Sequence, residues 1–178
     1  MGVKIHELYS EETVNKRVEE LGAQISRDYA GKQLHLISVL KGGVFFACEL
    51  AKRLTIPVTI DFMCISSYGS AMESSGIVKI LKDLDEPLAG RDVLIVEDII
   101  DSGNTLAHLK GLLSQREPAS LKICTLLDKP ERRDPAITLK VDYVGFEIPD
   151  HFVVGYGLDY AQNYRNLPYI GIVELTEE

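Results

Sequence analysis

The sequence predicts an α/β fold, in which an open, mostly parallel, twisted sheet is flanked by helices. Over the first two-thirds of the chain, apolar runs typical of strands alternate with helical patterns, an order that favours parallel strands joined by helices. Residues 93–96 are apolar at every position, as in a strand buried on both faces of a parallel sheet. Ligands of such sheets bind beyond the carboxyl ends of the strands. The turns that follow the strands are therefore the expected place for a functional site.

Local patterns place the amino-terminal elements. Ser10 followed by two acidic residues is typical of a helix start, and apolar residues then recur at helical spacing as far as Ile25. Strands are predicted over residues 34–40 and 58–66, and a second helix between them buries Phe46 and its apolar neighbours.

The central strand is followed by a third helix with leucines on one face. Further strands are predicted over residues 121–127, 143–148 and 169–175. Residues 66–76 are rich in serine and glycine, which indicates a loop, and a plain hairpin connection is one reading of it.

The composition is that of one globular domain spanning residues 1–178, long enough to bury a substantial core. The net charge of −8 argues against a nucleic-acid surface, since such surfaces are usually basic. No apolar run approaches membrane-spanning length, and the amino terminus lacks a secretory signal pattern. Cys48, Cys64 and Cys124 are odd in number and lie in apolar surroundings, which indicates reduced core residues in a cytoplasmic protein.

The most informative motif lies where the central strand ends. Residues 96–105 read Val-Glu-Asp-Ile-Ile-Asp-Ser-Gly-Asn-Thr, with Glu97 and Asp98 at the strand end and Asp101 opening a turn of small residues. A helix follows, and the backbone N–H groups at a helix start can bind a phosphate. Acids beside a phosphate make sense if the ligand also carries hydroxyl groups or a metal ion. Without a ligand, Asp101 would be a helix cap at the end of a buried strand.

Residues 96–105 resemble the signature with which the phosphoribosyltransferases bind phosphoribosyl pyrophosphate. The resemblance covers nearly the whole chain, and it implies the family's α/β fold with a small hood region built from the chain ends. It also implies that the donor's 5′-phosphate binds the turn residues Ser102, Gly103, Asn104 and Thr105. Ser102 stands where many members have threonine, a departure that keeps the hydroxyl.

The resemblance gives the acidic residues separate roles. Glu97 and Asp98 would accept from the ribose hydroxyls or reach Mg²⁺, and Asp159 would be a further acid on the metal side. Because neighbouring side chains on a strand point to opposite faces, Glu97 and Asp98 are not expected to contribute equally. Asp101 would be the general base that takes a proton from N7 of a purine as N9 attacks C1′. Apart from the resemblance, Asp159 would be interpreted as a helix cap.

The turn after residues 34–40 resembles the family's pyrophosphate loop. The resemblance implies that Lys41, the amide of Gly42 and Arg165 hold the pyrophosphate, and that the peptide bond before Lys41 is often cis. On its own, the turn is an ordinary strand-to-helix connection with a solvated lysine.

Two segments resemble the base-recognition segments of the hypoxanthine-guanine branch of the family. In the first, Lys129 would donate to the 6-oxo group of a purine and so disfavour adenine, which has a donor at that position. In the second, Phe152 would stack on the base and the backbone of Val153 would bind its edge, although both residue types are more often found in a core. Ser67 and Tyr68 resemble a flexible loop that closes over the site and keeps water from a reactive ribosyl cation.

The resemblance therefore implies an enzyme of purine salvage. It would transfer the 5-phosphoribosyl group from phosphoribosyl pyrophosphate to N9 of hypoxanthine, and of guanine, with Mg²⁺ as cofactor. The enzyme would be a homodimer or a homotetramer. A non-catalytic sensor of phosphoribosyl pyrophosphate is an alternative, but Asp101 is present and the chain is acidic. Another alternative is a phosphoribosyltransferase that acts on xanthine or on a pyrimidine base. Lys129 and Phe152 argue against a pyrimidine substrate, but they do not decide between hypoxanthine, guanine and xanthine.

Overall fold

A computed structural model of the chain describes residues 2–67 and 78–176. The elements are β1 (Gly2–Tyr9), α1 (Glu11–Asp28), β2 (Leu34–Leu40), α2 (Val44–Arg53), β3 (Val58–Ser67), β4 (Val78–Lys82), β5 (Asp92–Ile100), α3 (Asn104–Ser114), β6 (Ser120–Asp128), a 3₁₀ turn (Pro130–Arg132), β7 (Tyr143–Glu147), β8 (Val153–Val154) and β9 (Ile170–Thr176). Within the described part of the chain, no helix is long and apolar enough to cross a membrane.

The main sheet has six strands in the order β4-β3-β2-β5-β6-β7. The strand pairs β2–β3, β2–β5, β5–β6 and β6–β7 are parallel, and β4 joins the edge antiparallel to β3. The predicted fold class is confirmed. The serine- and glycine-rich stretch follows the end of β3, and its residues 68–76 lie outside the described residues.

Alternating side chains of the central strands fill two cores, one on each face of the sheet. On one face, Leu94 and Val96 of β5 belong to a buried cluster with residues of α1 and α2. On the other face, Val93 and Ile95 pack in a cluster with the leucines of α3. This alternation explains why the central run is apolar at every position.

A smaller antiparallel sheet, in the order β1-β9-β8, joins the two chain ends and forms the hood. The strand β1 was not among the predicted elements. Its pattern of buried and exposed residues is irregular, and its pairing partner β9 lies more than 150 residues further along the chain. Local periodicity could not identify such a strand.

The site lies between β2 and β5, where the order in which successive strands are added to the sheet reverses. These strands are neighbours, but the helix after β2 packs on one face of the sheet and the helix after β5 packs on the other. The two turns therefore diverge and leave a cleft at the carboxyl ends of the strands, which is the usual ligand site of an open α/β sheet.

Candidate active site

The phosphate turn, residues 101–105, connects β5 to α3. Gly103 has φ of +83°, a left-handed conformation that favours glycine, and it directly precedes the first residue of the helix. The backbone N–H of Asn104 donates to the hydroxyl of Ser102 at 3.4 Å. The turn borders a cavity of about 250 Å³ that Glu97 also lines. The structure thus brings Glu97 together with the predicted phosphate-binding residues.

The pyrophosphate-side turn, residues 41–43, faces Asp98. The peptide bond between Leu40 and Lys41 is cis, as the family resemblance implies. A Cβ atom on Gly42 would overlap the carboxylate of Asp98, and one on Gly157 would overlap the carbonyl oxygen of Gly42. Glycine is therefore required at position 42 for the turn to approach the end of β5 this closely.

Glu97 and Asp98 face different parts of the cleft, as expected for neighbours on a strand. Burial raises the pKa of Asp98 to about 6; the backbone N–H of Ile99 and the Arg165 guanidinium oppose this shift, and Asp159 adds to it. Burial, and then the charge of Asp98, raise the pKa of Glu97 well above its ordinary value. The cleft therefore contains two carboxylates whose charge is poorly compensated.

These carboxylates are suited to Mg²⁺, which prefers oxygen ligands. Among residues 2–67 and 78–176, no three acidic, histidine or cysteine side chains form a ready metal cluster. Mg²⁺ commonly uses one or two carboxylates together with water and substrate phosphates, so this arrangement fits the ion. Both carboxylate oxygens of Asp159 have partners, one in Arg165 at 2.7 Å and the other in the backbone N–H of Gln162 at 2.8 Å.

Lys41 and Arg165, the two cationic residues predicted to bind the pyrophosphate, share one hydrogen-bond acceptor. The side-chain oxygen of Gln162 accepts from Lys41 Nζ at 3.2 Å and from Arg165 at 3.3 Å. Arg165 also donates to the carbonyl oxygen of Gly157 at 2.7 Å. The structure thus brings Lys41 and Arg165 together. Gln162, which has φ of +68°, was missed by the sequence analysis because its contact with Lys41 joins distant segments.

On the base side, Lys129 lies beside Asp101. Its Nζ atom is 3.2 Å from Oδ1 of Asp101, and its side chain is only 8% exposed. The backbone N–H of Lys129 donates to the carbonyl oxygen of Ile100 at 3.0 Å, which holds the two segments together. Lys129 also donates to Oδ1 of Asp150 at 3.4 Å. Asp150 was not predicted, since nothing in its local sequence indicates a partner for Lys129.

Phe152 and Val153 differ in burial. Phe152 is 53% exposed, and its ring lies edge-on to Tyr160 with 5.6 Å between ring centroids. Val153 is buried in β8. An exposed aromatic ring at this point leaves a face free to stack on a base, whereas the general preference of phenylalanine for the core does not hold here.

Residues 128–134, on either side of Lys129, contact and support the phosphate turn. Asp128 forms an ion pair with Arg133, and a Cβ on Gly103 would lie 2.8 Å from an Arg133 nitrogen. The backbone N–H of Asp134 donates to the carbonyl oxygen of Ser102 at 3.0 Å, and Asn104 donates to the Asp134 carboxylate at 3.3 Å. Of the residues predicted to close over the site, Ser67 ends β3, and Tyr68 lies outside the described residues.

A family model for the phosphoribosyl transferase domain matches residues 4–161. The chain belongs to the phosphoribosyl transferase family. This phosphoribosyltransferase is 54% identical to the hypoxanthine phosphoribosyltransferase of Salmonella typhimurium over 170 residues, which cover 94% of each chain. It is 52% identical to the hypoxanthine-guanine phosphoribosyltransferase of Streptococcus agalactiae over 167 residues, 94% of this chain and 92% of the relative.

The fold of this phosphoribosyltransferase is similar to that of solved relatives. A crystal structure of a hypoxanthine-guanine phosphoribosyltransferase from Bacillus anthracis matches with a TM-score of 0.91 and 48% identity, over 98% of this chain and 100% of the other. The family resemblance predicted from residues 96–105 is thereby confirmed.

Proposed function

We propose that the chain transfers the 5-phosphoribosyl group from phosphoribosyl pyrophosphate to N9 of hypoxanthine, and of guanine, giving the nucleotide and pyrophosphate. The enzyme would serve purine salvage. The observation that carries this function is the position of Lys129 Nζ, 3.2 Å from Asp101 and beside the phosphate turn. A donor and a proton acceptor side by side match the edge of a 6-oxopurine, on which O6 and N7 are neighbours. The named relatives support the same activity.

The proposed reaction uses residues of both turns. Asp101 takes the proton from N7 as N9 attacks C1′, and the bond from C1′ to the pyrophosphate breaks. Lys129 donates to O6, while Phe152 stacks on the ring and the Val153 backbone binds its edge. Adenine carries an amino group, a hydrogen-bond donor, in place of O6. Lys129 would therefore face another donor and form no hydrogen bond with it. Ser67 and Tyr68 are proposed to cover the site.

The phosphoribosyl donor, phosphoribosyl pyrophosphate, is proposed to bind across the cleft. Its 5′-phosphate binds the turn residues, namely Ser102, Gly103, Asn104 and Thr105. Its pyrophosphate binds Lys41, the Gly42 amide and Arg165, since Lys41 and Arg165 already share Gln162 as a partner. Glu97 and Asp98 accept from the ribose hydroxyls.

Mg²⁺ is the proposed cofactor, held on the side of Glu97, Asp98 and Asp159 together with donor oxygens. When bound, it would neutralise charge on the pyrophosphate leaving group. The raised pKa values of Glu97 and Asp98 support this proposal, because a nearby cation would stabilise both carboxylates in their charged form.

The chain is further proposed to act as one domain of residues 1–178, as a cytoplasmic homodimer or homotetramer. The cysteines are widely spaced and odd in number, which supports a reducing compartment. Cys124 is buried as expected, whereas Cys48 is exposed and does not belong to the core. Phe45, 42% exposed on α2, lies beside Val44 and Cys48 and gives α2 an apolar surface that a second copy could cover. Light scattering on the purified chain would measure the number of copies.

The test of function is nucleotide formation from phosphoribosyl pyrophosphate and Mg²⁺ with hypoxanthine, guanine, xanthine, adenine and uracil, each supplied separately. We expect turnover of hypoxanthine and guanine and little turnover of adenine or uracil. Binding of the donor without turnover of any base would contradict the proposal and favour the sensor alternative.

A further inference from the structure

Asp150 lies in the turn between β7 and β8, at the edge of the base side of the cleft. One carboxylate oxygen, Oδ1, accepts from Lys129 Nζ at 3.4 Å. The other, Oδ2, lies 3.5 Å from the guanidinium of Arg132. The carboxylate is thus fixed between two cations that belong to the same segment, residues 129–132. Neither the sequence patterns nor the family resemblance gave Asp150 a role.

Lys129 is a buried cation with two acidic neighbours. Among the described residues, the carboxylates within ion-pair distance of its Nζ are Asp101 and Asp150. Asp101 is slightly closer, yet the hydrogen bond of acceptable geometry runs to Asp150. Asp128 and Arg133, two charged residues of the same stretch, pair with each other. Lys129 is therefore balanced between the proposed general base and a second carboxylate.

An ammonium group has three N–H donors, and their directions are linked. When Asp150 and Asp101 accept from two of them, one donor remains for a ligand. That remaining donor is the one required for O6 of the base. A carboxylate that fixes the orientation of Lys129 thus prepares the site for a 6-oxo acceptor.

We infer that Asp150 is a positioning residue for Lys129 and thereby for recognition of the 6-oxo group. The inference rests on the proposed function, because it concerns the same lysine. Asp150 acts through Lys129 and does not touch the base. It also draws the ammonium away from full pairing with Asp101. Without Asp150, Lys129 would pair with Asp101 alone, and its remaining N–H donors would no longer be held toward O6 of the base.

The test compares Asp150→Asn with the wild type in steady-state kinetics. Removing the charged acceptor should raise the KM for hypoxanthine about tenfold, the effect of losing a charge-assisted hydrogen bond. The KM for phosphoribosyl pyrophosphate should change less than about twofold, since the phosphate turn is untouched. Asp150→Glu should restore part of the loss. Asp85→Asn is the matched control, because Asp85 is an exposed acid paired with Lys82.

A second comparison separates positioning from a general loss of structure. 6-Mercaptopurine has a sulfur, a weaker acceptor, in place of O6. In Asp150→Asn, the ratio of kcat/KM for hypoxanthine to that for 6-mercaptopurine should fall. Equilibrium binding provides a further readout, in which inosine monophosphate binds less tightly to the variant and ribose 5-phosphate binds equally well.

Two results would overturn the inference while leaving the function intact. One is a wild type that turns over hypoxanthine and an Asp150→Asn variant with the same KM for the base. The other is a variant in which both KM values rise together and the ratio between the two bases is unchanged. A wild type that turns over no 6-oxopurine would instead contradict the proposed function, and the inference with it.

Discussion

At the scale of single residues, the cleft depends on the close approach of Gly42 to Asp98. The space that a side chain would need at position 42 is filled by the Asp98 carboxylate, and the Gly42 carbonyl oxygen packs against Gly157. The turn is thus held between the end of β5 and the segment that carries Asp159 and Arg165. A change at Gly42 should therefore affect donor binding rather than base binding.

Gly42→Ala should raise the KM for phosphoribosyl pyrophosphate by about tenfold or more, because either the turn or Asp98 must move to accommodate the Cβ atom. The KM for hypoxanthine should change much less. Steady-state kinetics with each substrate varied in turn would measure both. An unchanged KM for the donor would mean that the amide of Gly42 does not contact the pyrophosphate.

At the scale of secondary structure, α3 connects the phosphate turn to the core. Leu106, Leu109 and Leu113 are buried against the sheet, which fixes the direction of the helix start. Gly111 lies on the exposed side of the same helix, and a Cβ there would meet no atom within 4 Å. Glycine in the middle of a helix is unfavourable because it gains too much freedom on unfolding.

Gly111→Ala should raise the free energy of unfolding by about 0.5–1 kcal/mol, since alanine restricts the unfolded chain and fits the helix. Activity should be unchanged, which makes this variant the matched control for Gly42→Ala. Denaturant unfolding would measure the gain. A destabilised variant would indicate that the exposed side of α3 packs against something in solution, such as a second copy.

At the scale of the whole molecule, the acidic site lowers stability near neutral pH. The net charge is −8, and two of the carboxylates that contribute to it, those of Glu97 and Asp98, lie partly buried inside the cleft. Because the folded-state pKa of Asp98 is raised to about 6, the folded protein binds a proton more readily than the unfolded chain does. The penalty for burying this carboxylate is therefore present above about pH 6 and decreases as the pH falls below it.

Asp98→Asn should raise the melting temperature at pH 8, without donor or Mg²⁺, by roughly 2–4 °C, the shift that about 1 kcal/mol gives in a domain of this size. The gain should shrink toward pH 4, where the wild-type carboxyl group is increasingly protonated. Thermal unfolding of the wild type and of Asp98→Asn between pH 4 and pH 8 would measure this difference in melting temperature. A gain that is constant with pH would show that the charge of Asp98 is not its cause.

The sequence predicted the parts of the fold that depend on local periodicity. The alternation of strands and helices and the fully apolar run of β5 led to the sheet, and the residues after β2 and β5 led to the cleft. The hood strand β1, Gln162 and Asp150 were missed. Each depends on contacts between segments that are separated in the chain. In addition, Gln162 lies in a turn of positive-φ residues that no local sequence pattern predicts.

The turnover of Asp101→Asn with phosphoribosyl pyrophosphate, Mg²⁺ and hypoxanthine tests whether Asp101 is the general base of the reaction. Asparagine keeps the shape of the side chain but cannot accept the N7 proton. We predict that kcat falls by about 10²–10⁴, the usual contribution of a general base, while the dissociation constant for the donor is unchanged. A kcat near that of the wild type would contradict the role of Asp101 and, with it, the assignment of the pair formed with Lys129.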